Sequence, residues 1–144
     1  MRFVMLMYPG PAAETERSPI PEGPEGQKLL EDMMAFNQRM VDAGVMLGGE
    51  GLKPTRAGAR VKYQGGGKTI VVDGPFTETK ELIAGYTLIQ VRSRDEALEW
   101  TRRFPNPRGE GLEAEIEVRQ LYEMEDFAGV DGVEQFRDLG TLRG

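Results

Sequence analysis

Apolar residues recur along the chain with two spacings, one typical of β-strands and the other of α-helices. Alternating or continuous apolar runs predict strands over residues 1–8, 45–52, 60–64, 68–72, 82–91 and 113–122. Apolar residues three and four positions apart predict helices over residues 27–43 and 93–104. The predicted order is strand, helix, strand, hairpin, strand, helix, strand. It indicates an α+β fold: a ferredoxin-like α+β sandwich of split βαβ units with an inserted hairpin and both helices on one face.

The helices carry further signals about their ends and their buried sides. In the first helix, a buried stripe is predicted at Leu30, Met33, Met34, Met40 and Val41. Ser93 and Glu96 are spaced as a capping box at the start of the second helix, where Trp100 is expected to be half-buried. In the last strand, Ala114, Ile116, Val118 and Tyr122 are expected on one face.

The first strand is apolar on both of its faces. Phe3, Met5 and Met7 lie on one face, and Val4 and Leu6 on the other. Strands of this kind are usually buried on both sides, whereas two helices cover only one. A second copy of the chain, packed sheet against sheet, is the simplest cover, so we expect a homodimer.

Length and charge narrow the classes of function. The chain has 144 residues and a net charge of −6, which argues against nucleic acid and anionic membrane surfaces as partners. No apolar run reaches a membrane-spanning length, so a cytoplasmic protein is expected.

Residues 1–124 are predicted to form the domain and 125–144 a tail, for which a short docking helix is one interpretation. The connection at 9–26 is long enough to be functional or mobile.

The chain contains neither cysteine nor histidine. Thiol catalysis, thiolate metal sites and the commonest general base are therefore excluded, and acid–base chemistry falls to Asp, Glu, Lys or Tyr. No loop has the ligand spacing of a metal site, and we predict no metal and no cofactor. The segment "GGGKT" at 65–69 is not a phosphate-binding loop, because Lys62 occupies the first glycine position and a strand follows; a hairpin turn is predicted.

The most informative stretch is "TIVVDGPFTETKELIAGY" at 69–86, where a β-branched run ends at Asp73. Together with several other segments it resembles the DGPF proteins of the YCII-related superfamily. The resemblance covers nearly the whole chain and is carried by "MRFVMLMYPG" at the start, "AGVMLGGEGLKP" at 43–54, "VVDGPFTETKELIAGYTLIQV" at 71–91, "EALEWTRRFP" at 96–105 and "EIEVRQLYEMEDF" at 115–127. It implies a ferredoxin-like α+β fold and a dimer.

On function, the resemblance points in two directions. The superfamily is similar to small dimeric lyases and isomerases such as muconolactone isomerase, and some members carry a His–Asp pair proposed as catalytic. Without histidine, only the acid of that pair, Asp73, has a counterpart here. DGPF proteins are also often encoded beside extracytoplasmic-function sigma factors, which implies a non-catalytic ligand-binding or accessory module.

The catalytic hypothesis assigns roles to four residues. Asp73, at a strand end, would act as general base if burial raised its pKa, while Glu50, Lys80 and Tyr86 would orient a small carbonyl or aromatic compound and stabilise a developing enolate. The structural alternative is that Asp73 only shapes a turn, that Lys80 and Glu81 are a solvated pair and that Glu50 is exposed. The sequence is compatible with both hypotheses, an enzyme and a binding module.

Overall fold

The structure, a computed structural model, describes residues 1–8, 22–77 and 81–138. It is a mixed α+β fold with antiparallel sheets, as predicted. The elements are β1 (Arg2–Tyr8), α1 (Pro24–Asp42), β2 (Met46–Gly51), β3 (Ala59–Tyr63), β4 (Thr69–Asp73), β5 (Gly85–Gln90), α2 (Arg94–Arg103), β6 (Glu115–Gln120) and α3 (Val133–Asp138). Short 3-10 turns lie at Thr55–Ala57 and Met124–Phe127. Of the predicted connection at 9–26, residues 9–21 lie outside the described part, and Pro24 already begins α1.

Four strands form the main sheet in the order β2-β5-β1-β6, and every neighbouring pair is antiparallel. The central strand β1 fixes the register: Met5 lies opposite Thr87 and Val118, and Leu6 lies opposite Tyr86 and Glu117. Side chains directly opposite each other in a ladder point to the same face. The odd-numbered residues of β1 therefore share one face of the sheet, and the even-numbered residues share the other.

Both long helices pack on the face that carries Phe3, Met5 and Met7. These residues form one core with side chains from β5, α1 and α2, namely Ile89, Val91, Phe36, Met40, Ala97 and Phe104. The ring of Phe36 meets the rings of Trp100 and Phe104 edge-on, with centroids 5.9 and 5.3 Å apart. Edge-to-face packing of this kind adds to the area that the rings bury, so α1 and α2 are held together over the sheet.

The predicted buried stripe of α1 is wrong by one residue at most of its positions. Leu30, Met34 and Val41 are exposed, with Met34 at 63%. Met40 is buried and Met33 partly buried, as predicted, and the other buried residues are Gly26, Leu29 and Phe36. Phe36 decides the rotation of the helix, because its ring fits between Trp100 and Phe104 only when this side of α1 faces the sheet.

The start of α2 confirms Ser93 as the N-cap, whereas the carboxylate of Glu96 reaches back to the residue before the cap and not to the N–H of Ser93 itself. The hydroxyl of Ser93 accepts a hydrogen bond from the backbone N–H of Glu96 at 3.1 Å. The carboxylate of Glu96 accepts one from the backbone N–H of Arg92 at 2.9 Å. Two N–H groups at the helix start thus gain partners, which fixes where α2 begins. Trp100 is half-buried, as predicted, and the guanidinium of Arg103 lies 4.4 Å from its ring centroid.

The chain after β6 is tied back to the start of β1. The guanidinium of Arg2 forms an ion pair with Glu123 at 2.9 Å, and the N–H of Leu121 donates to the carbonyl oxygen of Arg2. Tyr122 does not continue the alternation predicted for the last strand; it is 70% exposed and its ring contacts Phe127.

A short helix, α3, does form in the tail, and its docking role stays a prediction. No helix in the described ranges has both the length and the apolarity to cross a bilayer.

Candidate functional site

Strands β3 and β4 form a separate two-stranded hairpin that does not join the main sheet. Val61 lies opposite Val71, and Ala59 lies opposite Asp73 at the base. The turn uses Gly65, Gly66 and Gly67, all with positive φ, and is closed by a hydrogen bond from the N–H of Gln64 to the carbonyl oxygen of Lys68. Positive φ favours glycine at these positions. The "GGGKT" segment is therefore a hairpin turn, as predicted.

The residues after Asp73 form a packed corner at the base of the hairpin. The N–H of Gly74 donates to the carbonyl oxygen of Gly58, and the N–H of Phe76 donates to the hydroxyl of Thr55, both at 3.0 Å. The Gly74–Pro75 peptide bond is cis. A side chain at Gly74 would overlap the carbonyl group of Thr55, approaching its carbon to 2.6 Å. Two of the four residues in "DGPF", Gly74 and Phe76, thus have a structural reason for their identity or position.

Arg60 adds a further contact to this corner. Its guanidinium carbon lies 3.8 Å from the centroid of the Phe76 ring. A cation over an aromatic face at this distance is attracted by the electron-rich ring. The contact joins β3 to the segment that follows β4.

Asp73 itself has an exposed carboxylate in the single chain. It shares one face of the hairpin with Val61 and Val71. In the described ranges, no hydrogen bond or ion pair joins Asp73 to Glu50 or Tyr86. Lys80, the fourth predicted site residue, lies outside the described residues.

Glu50 and Tyr86 are brought together, because β2 and β5 place them directly opposite each other. The ladders continue this row through Leu6 of β1 to Glu117 of β6. The neighbouring row runs from Gly48 through Leu88 and Val4 to Arg119. We call the surface formed by these two rows and Glu115 the open face, since it lies opposite the helix-covered core.

The open face combines an apolar centre with charged edges. Val4, Leu6, Tyr86 and Leu88 are half-buried by their neighbours, whereas Glu50, Glu115, Glu117 and Arg119 are exposed. Chemically, a carboxylate beside a phenol can accept a proton and donate a hydrogen bond to the same small molecule. Sequence patterns do not mark Glu117 as a site residue, because its place in the row depends on the register between β1 and β6, which lie more than 100 residues apart.

A cleft of about 970 Å³ lies between α1 and the loop that follows α2, and no sequence pattern predicts it. Leu29 and Phe36 line it, and Arg39, Arg103 and Arg108 bring positive charge to its wall. Lys28, also in the wall, donates to Asp32 at 2.6 Å, and this hydrogen bond raises the pKa of the lysine. The cleft is built from helix and loop positions that no short motif marks.

These features define a small antiparallel α+β domain with a separate hairpin and, across one face of its main sheet, a row of residues that has a glutamate at each end. The chain belongs to the YCII-related domain family, whose match extends over residues 1–124. It is 37% identical over 98 residues to a Rhizobium meliloti (strain 1021) protein named Uncharacterized protein R00369, covering 68% of this chain and 78% of that protein.

Among solved structures, the chain is similar to 5-chloro-2-hydroxyhydroquinone dehydrochlorinase (TftG) from Burkholderia phenoliruptrix AC1100, in complex with 2,5-dihydroxybenzoquinone. The match covers 85% of this chain and 95% of that one, with 13% identity and a TM-score of 0.42. Such a distant match carries no functional argument. The narrower DGPF assignment stays a prediction.

Proposed function

We propose that the chain is a homodimeric ferredoxin-like α+β sandwich that binds a small carbonyl or aromatic compound and moves a proton on it, as a lyase or isomerase does. The row formed by Glu50, Tyr86, Leu6 and Glu117 carries the proposal. It places a carboxylate and a phenol side by side at the edge of an apolar surface, an arrangement suited to a flat organic molecule with one polar group.

The dimer follows from the apolar centre of the open face. Val4, Leu6 and Leu88 lie on the side opposite the core that α1 and α2 share with the sheet. A second copy related by a two-fold axis would present the same residues and exclude water from both centres. Burial between two copies would also strengthen the electrostatic interactions of Glu50 and Tyr86 with a bound molecule.

In this proposal, Asp73 is the general base, Tyr86 hydrogen-bonds the oxygen of the developing enolate, and Glu50 and Lys80 orient the molecule. Proton transfer needs a base within hydrogen-bond reach of the substrate. Because Asp73 is exposed in one chain, the proposal requires the bound molecule or the second copy to desolvate it. Neither the named relatives nor the described residues support the sigma-factor-linked accessory role.

Proton transfer can be tested without knowing the physiological substrate. The protein would be incubated in D2O with a panel of small cyclic ketones, lactones and hydroxylated aromatics, and loss of the exchangeable carbon-bound proton followed by NMR. We expect catalysed exchange with at least one compound. Removing the general base in Asp73→Asn should slow it about 100-fold or more.

Asp131→Asn is the matched control, since it makes the same chemical change at an exposed position in the tail. It should exchange protons at the wild-type rate. Equal rates for Asp73→Asn and wild type on every active compound would remove Asp73 from the mechanism. Absence of exchange across the whole panel would count against proton transfer itself.

A further inference from the structure

The cleft between α1 and the loop that follows α2 lies on the helical side of the sheet, away from the open face. Its volume of about 970 Å³ is within the range of small-molecule sites, about 300–1,000 Å³. Apolar side chains line both of its walls: Leu29 and Phe36 come from α1, and Pro105 and Leu112 from the loop. Leu112 is 49% exposed, so part of this apolar lining is open to water.

The loop wall of the cleft is held in shape by the side chain of Asn106. Its Nδ2 donates to the carbonyl oxygen of Leu112 at 2.6 Å, and its Oδ1 accepts from the N–H of Arg108 at 2.9 Å. The N–H of Gly109 donates to the carbonyl oxygen of Asn106 at 3.0 Å. Because a loop that is already ordered costs less to order on binding, this wall needs little rearrangement to receive a ligand.

Charge is distributed unevenly along the cleft. Near the start of α1, Lys28 donates to Asp32 at 2.6 Å, and Glu25 lies one helical turn before it. The hydrogen bond and charge of Asp32, and to a smaller extent the charge of Glu110, raise the pKa of Lys28. The acids of the described lining thus gather around this lysine. Arg39 lies about 10 Å further along the axis of α1, at about 1.5 Å per residue.

Two arginines at that other end have guanidinium groups available to a ligand. In the described ranges, the side chain of Arg39 makes no hydrogen bond and no ion pair. The Nε of Arg103 lies 3.7 Å from a carboxylate oxygen of Glu99. A pair between exposed side chains such as these contributes little, and it is made by Nε and not by the two terminal nitrogens. Both arginines line the cleft together with Phe36.

We propose that this cleft binds a small organic acid, with its anionic group between Arg39 and Arg103 and its apolar body against Leu29 and Leu112. Arginine holds such a group through several charge-assisted N–H donors in a fixed plane. The apolar lining favours an aromatic or aliphatic acid over an inorganic anion, which has no apolar surface to bury. The site lies on the other side of the sheet from the open face and does not depend on the proposed function.

Anilinonaphthalene sulfonate, a fluorescent organic anion, is a suitable probe of this cleft. Its Kd would be measured by titration for wild type and for Arg39→Gln/Arg103→Gln. The double variant should raise the Kd about tenfold or more, because both cationic donors are lost. Arg92→Gln/Arg94→Gln makes the same change at two exposed positions near the start of α2 and should leave the Kd unchanged. Circular dichroism of each variant checks that it is folded.

An uncharged probe separates the role of charge from damage to the cleft. Phenylnaphthylamine has the same ring system without the sulfonate, so it should bind wild type and Arg39→Gln/Arg103→Gln with similar affinity. A loss of equal size for both probes would overturn the proposal, because the arginines would then not act through their charge.

Proton–nitrogen NMR spectra of the wild type locate the bound anionic probe. The largest shifts are expected at Leu29, Leu112 and the indole N–H of Trp100, the only tryptophan of the chain, whose ring centroid lies 4.4 Å from the guanidinium of Arg103. Shifts confined to the open face, an unchanged Kd in Arg39→Gln/Arg103→Gln, or no binding at millimolar probe would each overturn the proposal. None of these outcomes bears on the proposed function, because its proton-exchange assay reads Asp73.

Discussion

At the scale of single residues, the backbone around Asp73 is fixed by Gly74. A methyl group at Gly74 would collide with the carbonyl group of Thr55, whereas at Gly58 it would lie 3.6 Å from the same oxygen, an ordinary contact. We expect Gly74→Ala to lower the free energy of unfolding by about 2 kcal/mol or more. Gly58→Ala should change it by less than about 1 kcal/mol in either direction, because its φ of −116° suits alanine.

Urea unfolding of the two glycine variants gives this comparison directly, because they share one neighbour, Thr55, and differ only in the space available. Equal losses of stability would show that the corner yields to a side chain. The motif could then be explained only through its chemistry, which would strengthen the catalytic interpretation of Asp73. A selective loss in Gly74→Ala would instead confirm that glycine is required there for packing.

At the scale of elements, α1 shows where sequence periodicity stops being informative. The helix contains adjacent apolar pairs, Leu29–Leu30 and Met33–Met34, so two stripes one residue apart fit the helical repeat equally well. Tertiary contacts of Phe36 with Trp100 and Phe104 decide which of the two stripes is buried. The spacing of apolar residues within α1 carries no information about these contacts. By contrast, the start of α2 after Ser93 was correctly predicted, because the N-cap hydrogen bond joins two residues that are only three positions apart.

The rotation of α1 can be checked by two truncations in the same helix. Phe36 is 2% exposed and Met34 is 63% exposed. Phe36→Ala should cost about 3–5 kcal/mol of stability, since it removes a buried ring and leaves a cavity. Met34→Ala should change stability by about 0.5 kcal/mol or less. Chemical denaturation measures both, and a larger loss at Met34 would mean that the helix is rotated by one residue.

At the scale of the whole molecule, the order of the elements could be predicted from the sequence, but the candidate site could be predicted only in part. Local sequence marks Glu50 and Tyr86 as separate candidates, Glu50 as an acid among glycines and Tyr86 as a phenol in a strand. Their position opposite each other, and the place of Glu117 in the same row, come from pairing between strands far apart in sequence. Asp73 belongs to a different sheet from that row, because β3 and β4 pair with each other and not with the main sheet, and local patterns do not reveal this pairing.

The homodimer of the proposed function predicts a definite response to salt. Dissolved ions screen solvent-accessible charge pairs but not apolar contacts, and the proposed interface is centred on Val4, Leu6 and Leu88. Raising NaCl from about 0.05 M to about 0.5 M should therefore leave the dimer Kd unchanged or lower it. Sedimentation velocity at the two salt concentrations measures this response, and a Kd that rises several-fold with NaCl would mean that charge pairs, and not the apolar centre of the open face, hold the two copies together.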